Sequence, residues 1–432
     1  MYLTSCGFSR VALLFLFVVL DVNPNGRAES WPTYGHDAQH TGRSFAAFDP
    51  RQLTLSWESP ILDGGYQQPI IVGDRVYALD FRQSGPAGSI ASFRLSDGAV
   101  NWSVPYVGGS SISSLAYADG LLAYTADTDH LVVIDALTGG TRYSIPNVPG
   151  TFRSNGPSPS LVFDVQGNLI AYTVGPGSAA ATQLGANSGT RLWIQPGSLG
   201  GATAPTLMGQ SLLGAGPGQY YAYDQATGQV NHFVASALSG GGGAVIASDL
   251  ARKQFYVPDG GWLTAYSYVD NDHITQLWSV AMSSLANAIS LGKNGDIYTA
   301  TSSRLIELDP ATGQELRSVS GTFAPYAPPV VQGDYVWVGG SRLYAYDMAT
   351  LTPIVSMPAA SPDYYSYLPA AADDSHLIVN YVNGVGSNRG FLVYAVPEPS
   401  AGICTLGIGL ILLTWRPRLR SILYHQTTGS SH

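Results

Sequence analysis

What most constrains this chain is a short repeated unit, cleanest at residues 297–316, which read IYTATSSRLIELDPATGQEL. In Arg304-Leu305-Ile306-Glu307-Leu308 the apolar side chains fall mostly on alternate positions, as a half-buried strand requires. Asp309 ends that strand where its carboxylate can cap backbone N–H groups of a turn. Gly313 then supplies the positive φ that lets the chain reverse into a third extended run.

Looser copies of the unit recur along the chain, eight in all. The first four carry Asp97-Gly98 with Trp102, Asp135 with Thr138-Gly139, Ser188-Gly189 with Trp193, and Asp224 with Thr227-Gly228. A fifth has Trp278 but Asp270-Asn271-Asp272 in place of the turn, the sixth is the clean copy, and Asp347 marks the seventh. The eighth, at 377–381 and 391–395, stops after its third strand. A spacing of roughly 40–45 residues is the length of one four-stranded propeller blade. Residues 53–59, LTLSWES, form an orphan strand at the other end. The expectation is therefore an all-β chain folded as an eight-bladed β-propeller of four-stranded antiparallel blades, the last blade closed by the N-terminal strand near Trp57. The clean copy has Arg317 where several relatives have Trp, which predicts a weaker contact between blades at that point.

Fifty glycines, 27 prolines and 26 tyrosines in 432 residues agree with a turn-rich β fold. Residues 1–28 hold two basic groups and one acid, and residues 401–432 hold three basic groups and no acid. The body between them carries 15 basic and 28 acidic groups, a net charge of −13. Phosphate binding needs a basic footprint, so nucleic acid is not an expected partner. The two cysteines, Cys6 and Cys404, lie in the end segments, which removes disulfides, cysteine-ligated zinc and cysteine nucleophiles from the body.

Both ends read as addresses. Arg10, ten apolar residues at 11–20 and a small residue at Ala28 describe a secretory signal peptide over residues 1–28. Val396-Pro397-Glu398-Pro399-Ser400 is followed by an apolar stretch to about Trp415, then Arg416, Arg418 and Arg420. That order resembles the PEP-CTERM sorting signal of exopolysaccharide-producing bacteria, although the tail at 421–432 is longer than such signals usually have. The resemblance implies processing by signal peptidase and an exosortase, transient membrane anchoring through the C-terminal helix, and display at the cell surface or outside the cell. The expected division is a lead-in at 29–52, a propeller at 53–396, the sorting signal at 397–420 and the polar tail.

The pattern apolar-Tyr-Ala-(Leu/Tyr)-Asp-x-x-Thr-Gly, preceded by Trp31-Pro32, Gly35-His36-Asp37 and His40-Thr41-Gly42, resembles the pyrroloquinoline-quinone-type propeller repeat over residues 31–396. The same repeat is seen in the propeller subunit of the outer-membrane β-barrel assembly machine. Quinone-dependent dehydrogenases of this kind hold their cofactor with adjacent paired cysteines, a Trp platform and carboxylate-ligated calcium. The body has no cysteine, so the resemblance implies the fold and no cofactor is expected.

Other candidate chemistry reads as structure. His36 and His40 would share one side of a helix, but Gly35, Thr41 and Gly42 argue for a loop covering one end of the domain. Asp270-Asn271-Asp272, and Asp127 and Asp129 before His130, sit where turns are due. Segments joining outer to inner strands, at 64–67, 108–111, 151–155, 240–243, 325–326 and 363–367, should converge on one propeller face. The candidate ligand rim there is Tyr66, Gln67, Arg153, Asn155, Tyr326, Tyr364, Tyr365 and Tyr367, a polar-aromatic set suited to a protein or polysaccharide ligand. The expected role is a non-enzymatic binding or structural platform. The alternatives are an envelope assembly scaffold, for which the signal peptide lacks a lipid-attachment Cys, and an enzyme with a loop-built site.

Overall fold

The computed structural model describes residues 30–45, 48–60, 62–63, 68–80, 88–106, 115–126, 130–145, 161–164, 166–173, 179–185, 187–197, 206–216, 219–235, 245–259, 261–270, 273–282, 285, 288–324, 328–357, 364–383 and 388–397. The clean repeat forms three strands, Ile297–Ala300, Arg304–Leu308 and Glu315–Ser320, behind the short inner strand Ser290–Leu291. Ile297–Ala300 is buried throughout, and Arg304–Leu308 is buried at every position but the first. Alternation belongs instead to the outer strand Glu315–Ser320. The half-buried reading of Arg304–Leu308 is thus corrected: neighbouring blades cover both faces of the middle strands, which become continuously apolar. Asp309 Oδ1 accepts from the amides of Ala311 (2.7 Å) and Thr312 (3.1 Å), and Gly313 has φ +70°.

Among the described residues seven sheets are each built on a meander of four consecutive antiparallel strands, where the sequence reading counted eight blades. Their inner strands are Ile70–Val72, Ala116–Ala118, Leu161–Phe163, Thr206–Met208, Ala247–Asp249, Ser290–Leu291 and Val330–Gln332. The remaining sheet is composite. It joins Tyr364–Ala372, His376–Asn383 and Asn388–Ala395 to the N-terminal strand Thr54–Glu58, with Trp57 opposite Val393. Ser59 fastens this junction: its amide donates to the Phe391 carbonyl (2.9 Å) and its hydroxyl accepts from the Phe391 amide (2.8 Å). Tyr364–Ala372 also touches Ile70–Val72, so the composite sheet abuts the first blade.

Neighbouring sheets are joined by a recurring contact. Trp57, Trp102, Trp193 and Trp278 each lie over the turn glycine of the next sheet: Gly98, Gly139, Gly228 and Gly313. Each indole N–H donates to the carbonyl three residues before that glycine, at 2.7–3.1 Å. A Cβ on Gly228 would overlap the Trp193 ring, and the residue also has φ +71°. Gly228→Ala is therefore expected to cost about 1–3 kcal/mol, read from denaturant unfolding, while Gly73→Ala, which has positive φ but open space, costs less.

The contact after the clean repeat is built differently. Arg317 occupies the Trp position and forms a two-bond pair with Glu307, Nε to Oε2 at 2.6 Å and Nη2 to Oε1 at 2.7 Å. Glu307 is wholly buried and also accepts from the Tyr298 hydroxyl (3.0 Å). Tyr298 lies 3.3 Å from the Met348 carbonyl, the position an indole N–H takes elsewhere. Leu351, at φ +53°, stands where the four tryptophan-covered turns have glycine. With no indole overhead, a side chain fits. The ion pair lies within one sheet, and across the interface it is the Tyr298 hydroxyl that takes the place of the indole.

Candidate functional site

Tyr66, Gln67, Arg153, Asn155 and Tyr326 lie outside the described residues. Tyr364, Tyr365 and Tyr367 lie on the inner strand Tyr364–Ala372, nine residues long where the other inner strands have two or three. Gln68 follows the rim segment, and its side-chain amide donates to the Ala370 carbonyl, tying the first inner strand to the last.

The lead-in does not cover an end of the domain as expected. It runs inside the ring, along the axial edges of the inner strands. Amides of Ile71, Tyr117, Leu207, Ser248, Leu291 and Val331 donate to carbonyls of Trp31, Pro32, Ala38, Gln39, Thr41 and Gly42 at 2.8–3.1 Å. Arg43–Ser44 then pairs in parallel with Val330–Gln332. The physical reason is an accounting one: each inner strand presents edge N–H groups to the axis, and in a buried bore these need acceptors. A chain that curls to reach six blades needs left-handed residues, and Gly35, His36, His40 and Gly42 all have positive φ.

Asp37 holds the curl. Its Oδ1 accepts from the amides of Gln39 (3.1 Å) and Thr41 (3.0 Å), and its Oδ2 from the Thr41 hydroxyl (2.6 Å). His36 Nδ1 is 3.4 Å from the same carboxylate, and its ring packs edge-on against Trp31. His40 Nδ1 is 2.7 Å from the Tyr34 carbonyl. The two histidines thus serve the loop and do not share a helix face. Burial pushes the Tyr34 hydroxyl up to about 12.

The opposite face carries the tight turns, and between the third and fourth blades these frame a cleft of about 530 Å3. Asp164 of one turn is fixed by the amides of Gln166 (2.9 Å) and Asn168 (2.7 Å) and by the Asn168 side chain (3.0 Å). Facing it, Gln225 Nε2 donates to the carbonyls of Gly209 (2.9 Å) and Ser211 (3.1 Å), and the Gln225 carbonyl accepts from Trp193 Nε1. Gln210 and Asp224 complete the polar wall, and exposed Leu192 supplies an apolar patch. Sequence reasoning treated Asp224 as a turn-maker only. Nothing local signals that two turns from different blades meet. Asp270 fits its expected turn role, with His273 Nδ1 at 2.7 Å, whereas Asn271, Asp272, Asp127 and Asp129 lie outside the described residues.

Among the described residues no helix is long and apolar enough to cross a membrane, and residues 1–29 and 398–432 are outside them. The family model described as PQQ_2, outer membrane protein assembly factor BamB, matches residues 86–230 and 167–380. No curated protein matches the sequence. Among solved structures, quinohemoprotein alcohol dehydrogenase from Comamonas testosteroni aligns with TM-score 0.63 and 14% identity, covering 86% of this chain and 82% of its own. BamB from Moraxella catarrhalis aligns with TM-score 0.57 and 15% identity, covering 79% and 99%. A computationally designed protein, Ika8, aligns with TM-score 0.59 and 13% identity, covering 79% and 99%. At such identities the likeness is one of fold.

Proposed function

This chain belongs to the PQQ_2 family, and from that premise we propose that it is an exported, non-enzymatic propeller serving as a binding or structural platform at the cell surface or in the extracellular polysaccharide matrix. The observation that carries this reading is the occupied bore. Six inner-strand amides are spent on the chain's own lead-in, which leaves the two faces of the ring for partners. The ends support export: a basic and apolar leader, then Pro397-Glu398-Pro399, an apolar run and three arginines, read as substrates of signal peptidase and an exosortase. In this reading the C-terminal helix anchors the protein only until it is processed.

A second reading, an envelope assembly scaffold, is favoured by the description of the matching family. The two separate experimentally. Exported protein recovered from cells should co-sediment with isolated extracellular polysaccharide and not co-purify with outer-membrane assembly proteins. The opposite pattern overturns the platform reading and supports the scaffold.

A further inference from the structure

We propose that the cleft between the third and fourth blades is a binding site for neutral oligosaccharide. The assignment rests on the platform reading and names its ligand class. At about 530 Å3 the cleft falls within the 300–1,000 Å3 range of small-molecule sites.

Its walls are acceptor-rich. The Gln225 amide is committed to two backbone carbonyls, so what it presents to a ligand is carbonyl oxygen, whereas Asn168 gives one N–H to Asp164 and presents its carbonyl oxygen beside its second N–H. The Asp224 carboxylate adds acceptor oxygens, one of which also takes the Thr227 amide (2.8 Å) and hydroxyl (2.9 Å). Exposed Gln166 and Gln210 carry amides that both donate and accept. Such a wall suits a ligand dense in hydroxyl groups, each able to donate to an oxygen and accept from an amide. Leu192, 51% exposed, offers the apolar surface that the C–H face of a sugar ring needs.

Charge selects among sugars. Among the described residues the lining contains two carboxylates and no lysine or arginine, on a body of net charge −13, so an anionic polysaccharide is repelled and an uncharged one is not. The hydrogen bonds within each wall hold the polar groups in place before the ligand arrives, which lowers the ordering cost of binding.

The test is titration calorimetry of the full exported protein with neutral hexasaccharides of glucose, galactose and mannose, alongside calcium alone. Binding of at least one hexasaccharide, weakened tenfold or more in Gln166→Ala/Gln210→Ala, is the expected result. Both substitutions lie at exposed turn positions, and unchanged thermal unfolding confirms an intact fold. Calcium binding without sugar binding, or sugar binding unaffected by the double substitution, overturns the assignment. Co-sedimentation with polysaccharide separates the two proposals. If the variant sediments like the parent, the cleft assignment falls and the platform stands. If hexasaccharide binding depends on the two glutamines but the parent does not sediment, the platform falls and the cleft stands.

Discussion

Replacing Arg317 by Ala is expected to lower stability by about 3–5 kcal/mol, measured by equilibrium denaturation, the largest effect predicted for any single side chain here. The substitution strands the Glu307 carboxylate, which is wholly buried and keeps only the Tyr298 hydroxyl as a side-chain partner among the described contacts. Burial, and then the Glu307 charge, already push the Tyr298 hydroxyl far above its ordinary range. Burial and the same charge raise the Asp296 carboxyl as well. The hydrogen bonds to Glu307 raise Arg317 in turn, holding the guanidinium firmly protonated. The double variant Glu307→Gln/Arg317→Ala removes the stranded charge while leaving an acceptor for Tyr298, and should recover most of the loss. If it is no more stable than Arg317→Ala alone, the pair matters through packing, and the electrostatic account is wrong. Arg317→Trp alone should not restore the contact seen elsewhere, because Leu351 occupies the space where the tryptophan-covered turns leave a bare glycine.

How much of this was legible beforehand depends on how local each feature is. The turns were readable because Asp309 and Gly313 act within five residues of each other, and the same hydrogen bonds recur at Asp135, Asp224 and Asp347. Closure was readable from a strand missing at one end and spare at the other, and the pairing of Thr54–Glu58 with Asn388–Ala395 follows it. Two-sided burial was not, since Arg304–Leu308 shows what covers it only once its neighbours are placed. Arg317 looked like a lost contact because its partner, Glu307, sits in a different strand. The lead-in was misplaced for a deeper reason. It binds through main-chain carbonyls, which every sequence has, so only its glycines left a mark. The cleft is harder still, being made by the ring that brings residues of two blades together. Of the rim tyrosines, those on Tyr364–Ala372 sit on an inner strand that extends beyond its counterparts.

The lead-in's role in the bore predicts a specific pattern of amide exchange. Asp37→Ala removes the acceptor for two backbone amides and one hydroxyl that together shape residues 37–41. Hydrogen bonds to a charged group contribute about 1.5–3 kcal/mol each and are not additive, so a local loss of about 2–4 kcal/mol is expected. Converted at about 1.4 kcal/mol per factor of ten, that accelerates exchange roughly 30- to 700-fold for amides protected by the curl. These are Leu207, Ser248, Leu291 and Val331, which donate to residues 38–42. Ile71 and Tyr117 bond Trp31 and Pro32 ahead of the curl and should change less. Acid should imitate the substitution in the parent protein. Burial alone raises the Asp37 carboxyl, but the His36 ring and the Thr41 hydroxyl and amide outweigh it and hold it below its ordinary value of 3.8. A carboxyl depressed on folding contributes its full stability above that ordinary value and loses it as pH falls through the lower folded one. Protection at the four amides should therefore persist at pH 5 and decline below about pH 4. Uniform acceleration across all six amides would mean that Asp37 supports the whole ring. No acceleration at any of them would mean that the lead-in is not what protects the inner strands.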